Sequence, residues 1–383
     1  MQKKLIAVAV AGVLAAPLAM AQSNVTISGQ MKVHFDSVSA GGATSGLSMT
    51  SRNRMTDNNS WLRFSGEEAL GGGTSAWFQI ESAIGTTDNV GTTGSGASGV
   101  ANSTTIGTRN TAVGLKGNWG TMLLGKWDVY YHTIAPVDTN GLGNGLTMAA
   151  STLDIFFSNG QGNNFGGRFN NVAAYVTPNW NGFNATIGYT TSPSNETTTP
   201  GLKAKDTGWT FNPVYANGPW AAFYAHLRGN NIGATTASNG NDLRANRLGG
   251  AYTFPMGIKI GLAYDKNKIT SNDSGAYMER AAWSLPLSYT TGPHTASITY
   301  AKANNVNTNA GNMDSSGAKM WQVSYAYALS KRTNINASYV QINNDSNAHY
   351  DFWHPSQQIG AQGGGLPNGA DPRMFAIGMQ HSF

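Results

Sequence analysis

The sequence predicts an all-β fold, a transmembrane antiparallel β-barrel of about 16 strands, and three observations carry that expectation. Apolar and polar residues alternate along many short segments, the connectors between segments alternate between tight turns and long polar loops, and the chain ends on an aromatic residue in phase with its last alternation. Counting back by twos from Phe383 gives His381, Met379, Ile377 and Phe375, whereas Ser382, Gln380, Gly378 and Ala376 between them are small or polar. Successive side chains of a strand point to opposite sides, so one face of this strand meets lipid and the other meets water. A closing strand of this kind is expected to pair with the first.

At the other end, Lys3 and Lys4 precede an apolar run over residues 5–18, and Ala19-Met20-Ala21 has the small-x-small form of a signal-peptidase site. Residues 1–21 therefore read as a signal peptide and residues 22–383 as a single domain. The apolar run falls short of the roughly 20 residues a spanning helix needs, and Pro17 interrupts it. No comparable run follows, so membrane residence has to come from strands. A mean hydropathy of -0.29 hides this, because alternation dilutes the apolar face of every strand with a polar one. Charged residues make up 11%, against roughly 25% in an ordinary soluble domain, and Asn, Ser, Thr and Gly supply the polar surface instead. Loss of Lys3 and Lys4 lowers Lys+Arg from 24 to 22 against 19 acids, a net charge of +3 that argues for no nucleic acid. The absence of cysteine excludes disulfides and thiolate metal sites.

The first strand is the cleanest. Val25, Ile27, Gly29, Met31, Val33 and Phe35 share one face, and Thr26, Ser28, Gln30, Lys32, His34 and Asp36 the other. The period recurs at 183–189, 209–215, 258–264, 296–300, 321–327 and 335–339, each the centre of a piece of about 9 to 11 residues, the length of a tilted membrane strand. Tyr and Trp near their ends suit the membrane interfaces. Tight turns fall at 70–73, 117–120, 178–181, 217–219, 255–257, 291–293 and 330–332, all but the last carrying Gly, Pro or Asn. Long loops fall at 37–59, 85–108, 128–167, 192–206, 229–242, 266–274, 304–317 and 344–371. Seven turns and eight loops imply about sixteen strands with both termini on the short-turn side. A soluble β-sandwich cannot bury this many apolar faces in one core.

Several segments carry a resemblance: 25–29 (VTISG), 64–71 (FSGEEALG) with 76–81 (AWFQIE), 120–126 (GTMLLGK), 175–178 (YVTP) with 181–183 (NGF), 325–332 ending in LSKR, and 377–383 (IGMQHSF). In this order, and across essentially the whole mature chain, the sequence resembles Gram-negative general porins of the neisserial and betaproteobacterial type. The resemblance implies a sixteen-stranded homotrimer in the outer membrane, whose third extracellular loop, here 128–167, folds inward and narrows the pore. The charged residues of that loop are Asp128, Asp138 and Asp154, an acidic wall. Alternation points Lys32 and Arg63 inward; Lys126 stands where the family usually has Arg, and Arg168 begins the strand after the loop. Lys32, Arg63, Lys126 and Arg168 are the expected basic wall. Trp61 and Ala174 stand where the family commonly has further basic residues, which thins it. Phe375, Ile377, Met379, His381 and Phe383 are the expected signal for the barrel-assembly machinery.

The function that follows is passive diffusion of small hydrophilic solutes and ions through a water-filled lumen, with a weak preference for anions, no cofactor and no catalytic group. Outer-membrane lipid and lipopolysaccharide are the expected surroundings. The glycine-rich stretch 94–99 lacks the βαβ context of a dinucleotide site, and His349 with His354 lacks further metal ligands. A surface adhesin or receptor barrel would use the same long loops, and a barrel-rim hydrolase is the third reading. An inward loop favours the channel over the rim hydrolase, and single-channel recording separates it from the adhesin, which predicts a non-conducting barrel.

Overall fold

The computed structural model describes residues 25–85, 87, 106–128, 136–138, 152–163, 165, 167–191, 206–235, 238–354, 357–360 and 365–383. The expected signal peptide at 1–21 lies outside them, as do residues 129–135, 139–151, 164 and 166 of the expected constriction loop. The described residues form one antiparallel sheet of nineteen strands. In chain order these are β1 (Thr26–Gly41), β2 (Met49–Asp57), β3 (Trp61–Gly71), β4 (Thr74–Ala83), β5 (Thr111–Gly117), β6 (Gly120–Asp128), β7 (Arg168–Val176), β8 (Phe183–Thr191), β9 (Thr207–Asn217) and β10 (Trp220–Ile232). There follow β11 (Asn241–Thr253), β12 (Ile258–Ser271), β13 (Tyr277–Thr291), β14 (His294–Ala303), β15 (Val306–Thr308), β16 (Gly311–Met313), β17 (Ala318–Ala328), β18 (Thr333–Asn344) and β19 (Asp371–Ser382). A single helical turn, α1 (Leu153–Phe156), lies between β6 and β7.

Sixteen of these count as wall strands, for two reasons. β1 pairs with β2 along its later half and with β3 along its earlier half, so β2 and β3 are one wall strand broken at 58–60. β15 and β16 are a hairpin above the wall, where β14 pairs directly with β17. Side chains mend the break: Asn59 turns with φ 69, Ser60 N–H donates to Asp57 Oδ1 at 3.1 Å, and Lys32 N–H donates to Ser60 Oγ at 2.8 Å. The barrel closes where β1 meets β19 from Gln30↔Ser382 to Gly41↔Asp371, and the backbones of Gly29 and Phe383 exchange two hydrogen bonds of 3.0 Å.

The alternation sorts the faces as expected. Phe375, Ile377 and Met379 are about half exposed on the outer surface, while Met374 and Ala376 are buried inside. All seven tight turns join strands where the sequence places them. The loops differ. Residues 37–59 and 266–274 are mostly strand, because β1 continues to Gly41, β2 starts at Met49, and β12 continues to Ser271. These extensions rise past the apolar band, where both faces meet polar surroundings; the ladder persists while the apolar alternation that marks a strand stops.

Inside the barrel, the turn α1 and the last long loop share one apolar cluster with the wall. Leu153, Ile155, Phe156 and Phe165 are fully buried together with Tyr350, Phe352 and Ile359. The wall they meet is small: Ala225, Ala245, Ala263, Ala282 and Ala301 on successive strands β10 to β14. Val137 lies against the same wall, and a Cβ on Gly261 would stand 2.5 Å from its Cγ1.

At the closing seam, a Cβ on Gly378 would collide with the His34 ring. Gly378→Val is expected to cost about 1–3 kcal/mol by overpacking. The measurement is the temperature at which the compact band converts to the unfolded one on detergent gels; an unchanged temperature would show that the seam adapts.

Candidate functional site

Charged side chains line the lumen because water fills it, and their pairing decides where they point. Glu81 on β4 is the centre of the first group. Its carboxylate accepts from Arg63 Nε on β3 at 3.0 Å and from Arg109 Nε, just before β5, at 2.6 Å. Arg63 lies 4.5 Å from the centroid of the Trp61 ring, and Arg109 also donates to Asn59 Oδ1 at the break between β2 and β3. Arg168, opening β7, forms an ion pair with Asp128 across the ladder at 3.2 Å, and Asn110 bridges the two, accepting from Arg168 at 2.9 Å and donating to Asp128 at 2.7 Å. Lys32 is buried on the inward face of β1.

His354, in the last long loop, reports how close these cations come to one another. Burial lowers its pKa first, and the positive charges of Arg109, Lys32 and Arg168 push the same way, to about 3. Arg63 and Arg109 meet at Glu81, and Arg168 meets Asn110, the residue after Arg109, so these three guanidinium groups form one connected set.

Lys126 does not join them. It pairs with Thr111 on the face that carries Met122 and Leu124, which are 53% and 61% exposed, and it borders an outer depression with Leu124 and Ala173. Along β6 the period sets Leu123 inward and Met122, Leu124 and Lys126 on the other face, and the β6–β7 register shifts between Gly125 and Trp127. The expected acidic wall is also differently employed. Asp128 is paired with Arg168 instead of facing it across the pore. Asp138 and Asp154 are buried, accepting the backbone N–H of Thr152 at 3.0 Å and of Trp353 at 2.8 Å. Buried carboxylates draw such donors because an unsolvated charge is costly without them.

Two more charged groups hold the inner loops to the wall. Asp265 on β12 bridges Arg247 on β11 and Arg280 on β13, each at 3.1 Å, and all three side chains are buried. Arg280 donates to the Phe156 carbonyl at 3.1 Å and to that of Ser158, while Arg247 lies 5.2 Å from the centroid of the Phe156 ring. On the other side, Arg54 pairs with Asp36 at 3.1 Å and donates to the carbonyls of Gln357 and Gln358, and Arg52 donates to that of Ile359. Asp351 receives three backbone N–H groups, from Phe352, Ile359 and Gly360; burial raises its pKa and those bonds oppose the rise.

Sequence reasoning passed over Arg52, Arg54, Arg109, Glu81, Arg247, Asp265 and Arg280. Inward parity of a charge on an apolar strand would have found Asp265, which stands opposite in phase to Leu262 and Tyr264. Of the histidines, His349 contacts Asn368 Oδ1 at 3.0 Å, and no group of three metal-ligating side chains occurs among the described residues.

A sequence profile of Gram-negative porins matches residues 7–347. The chain belongs to that family. It is similar to outer membrane porin protein 32 of Delftia acidovorans, 27% identical over 391 aligned positions that cover both chains completely. Among solved structures it resembles an anion-selective porin from Comamonas acidovorans, 24% identical with a TM-score of 0.71 over 94% of this chain and all of the other. The trimer form of OmpT from Vibrio cholerae shares the fold at 13% identity and a TM-score of 0.63, over 94% and 99% of the two chains. This protein is therefore an outer-membrane porin, a closed sixteen-stranded barrel that works as a diffusion channel.

Two outcomes are expected of the porin's inner anchors. Asp265→Ala leaves the buried Arg247 and Arg280 without their shared counter-charge and is expected to cost about 3–5 kcal/mol, read as a lower unfolding temperature in detergent. His354 predicts acid lability of the last loop. Docked, it stays neutral down to about pH 3, whereas undocked it titrates near 6.5. As pH falls below 6.5 only the undocked loop takes up the proton, so docking weakens by up to about 1.4 kcal/mol per unit. Asp351 acts in the opposite sense, since its raised pKa favours the docked, protonated form in acid. The hydrogen-exchange protection factors at 345–354, taken relative to the intrinsic rate at each pH, are expected to fall between pH 7 and 4.5, and to fall less in His354→Gln. Equal acid responses in the two proteins would exclude His354 as the cause.

Proposed function

We propose that this porin is a general diffusion channel with a weak preference for anions, narrowed by residues 128–167 and working as a homotrimer. The observation that carries the selectivity is the ion-paired group in which Arg63, Arg109 and Arg168 outnumber Glu81 and Asp128 by one. Small hydrophilic anions crossing that level gain from the excess positive charge, and a Debye length near 8 Å at physiological salt keeps the gain small. The anion-selective Comamonas porin supports the same sign. The narrowing is supported by Val137, α1 and Phe165, which lie among the small inward residues of β10 to β14. No step of this function calls on a cofactor or a catalytic group. The trimer reading is supported by the OmpT trimer, and the C-terminal set Phe375, Ile377, Met379, His381 and Phe383 by its place at the seam that assembly has to close. Residues 1–21 are the export signal, and residues 22–383 the working domain.

Zero-current potential in a KCl gradient tests the selectivity. Arg63→Gln is expected to shift it toward cation preference, because Arg63 is the most accessible cation of the group, its side chain one-third exposed. Lys126→Glu is expected to leave it unchanged, since Lys126 faces outward. A shift in the second variant and none in the first would sink this assignment. Cross-linking in mild detergent is expected to give a trimer, and monomer alone would contradict it.

A further inference from the structure

On the wall away from the loop filling, an aromatic patch is left partly open to the lumen. We infer that Trp77, Trp127 and Phe169, with the guanidinium groups of Arg63 and Arg168 beside them, form a subsite for aromatic carboxylates, the class of anion this channel selects. The inference rests on the anion-preferring channel reading and deepens it by naming the solute.

The ladder sets the patch inward. Arg63 pairs with Ser28, which shares its face with the buried Gln30, Lys32 and His34, and with Glu81 across β3 and β4. Trp77 stands four residues before Glu81 and therefore on the same face. Trp77, Trp127 and Phe169 pack against the buried Ala112, Leu123, Val172 and Ala174, whereas Met122 and Leu124 lie exposed on the outer face. The Trp77 and Trp127 rings meet edge to face, with centroids 6.1 Å apart and planes at 71°. Missing side chains make the room: a Cβ on Gly114 would stand 2.7 Å from Trp77 Nε1, and one on Gly208 3.5 Å from Phe169 Cε2.

Exposure separates this patch from the rest of the inner wall. Leu227, Met320 and Ile342 share a fully covered cluster with α1 and the last loop. Trp77, Trp127 and Phe169 are instead only partly buried. The Trp77 indole nitrogen is itself buried, so the surface this side chain offers the lumen is carbon. Water leaves such a surface at a gain, and a second aromatic ring replaces it better than an alkyl group does, because ring faces and ring edges carry opposite partial charge.

The charge stands one rung away. Trp127 pairs with Phe169, and one residue on, about 3.4 Å along the strands, Asp128 pairs with Arg168. Arg168 bonds Asn110, whose neighbour Arg109 shares Glu81 with Arg63, and this set carries one cation more than it has acids. Arg holds a carboxylate through two parallel N–H donors. A neutral ring gains from the patch alone and an aliphatic acid from the charge alone; an aryl acid with a short arm gains from both.

The experiment is a ligand-observed NMR titration of the detergent-purified porin with phenylacetate, cyclohexylacetate, phenylacetamide and glucuronate, corrected against empty micelles, with conductance and zero-current potential in a KCl gradient recorded on the same samples. The wild type is expected to bind phenylacetate about threefold or more tighter than cyclohexylacetate, the scale of one aromatic pair, and about fivefold or more tighter than phenylacetamide or glucuronate. W77L/W127L, which keeps apolar volume and removes the rings, is expected to bind phenylacetate and cyclohexylacetate equally. Arg63→Gln is expected to narrow the gap between phenylacetate and phenylacetamide about threefold, and Trp220→Leu, on the outer surface, to behave as wild type. Should W77L/W127L fail to fold, Trp127→Leu decides, with an expected loss of about twofold in the preference for phenylacetate over cyclohexylacetate. Equal wild-type affinity for phenylacetate and cyclohexylacetate overturns the subsite, as do equal affinity for glucuronate and an unchanged preference in the folded tryptophan variant. A wild type that does not conduct, or that prefers cations, contradicts the channel reading instead, and the titration still decides the subsite.

Discussion

Everything in this porin depends on closing the hydrogen-bond ladder between β1 and β19. A backbone N–H or C=O facing hydrocarbon has no water to fall back on, so an open sheet edge in lipid is not tolerated. Closure satisfies every wall strand through its neighbours, and the C-terminal Phe383 is bonded to Gly29 at the base of that seam. With the edges gone, the wall separates two solvents. The outer face takes Phe375, Ile377 and Met379, and the inner face is released to carry Lys32, Arg63 and Asp265 at a depth where lipid would forbid them.

The lumen uses this freedom in two ways. On the β1 to β7 side, cations share a few carboxylates, with Glu81 between Arg63 and Arg109 and Asp128 beside Arg168. Positive charge is left over, and it sits near the space that solutes cross. On the β10 to β14 side, charge is consumed by structure: Arg280 holds the carbonyls ending α1, and Asp265 keeps both neighbouring guanidinium groups neutralised. Arg54 and Arg52 do the same for the last loop. Donating to loop carbonyls suits Arg, whose planar fork serves several acceptors and never loses its charge.

The architecture was legible in the sequence wherever the environment imposed a pattern. Lipid on one face enforces a two-residue period, so β1, β12, β17 and β19 could be read directly, and six of the seven tight turns between wall strands were marked by Gly, Pro or Asn. Where β1 and β12 rise above the bilayer, no solvent difference separates the faces, and the extensions to Gly41 and Ser271 were read as loops. The break at 58–60 was invisible because Asn59 and Ser60 mend it through side chains. In the site, alternation pointed Lys32 and Arg63 inward; Lys32 is buried and Arg63 bonds Glu81. Lys126 was assigned by likeness to other porins, against the period of its own strand. Arg109 and the bonds from Arg52, Arg54 and Arg280 to loop carbonyls depend on contacts between residues far apart in sequence, for which a linear pattern holds no trace.

The run of inward alanines on β10 to β14 has a consequence for how such a channel can vary. Each alanine leaves the wall thin at its position, and loop side chains such as Leu153, Phe156 and Val137 occupy the room so made. The free bore is thus a difference between a fixed circumference, set by strand number, and an adjustable filling, set by side-chain volume on one wall and the loops that lean on it. A lineage can widen, narrow or reshape its passage by exchanging one methyl-sized residue for a larger one, leaving strand count, shear and lipid contact untouched.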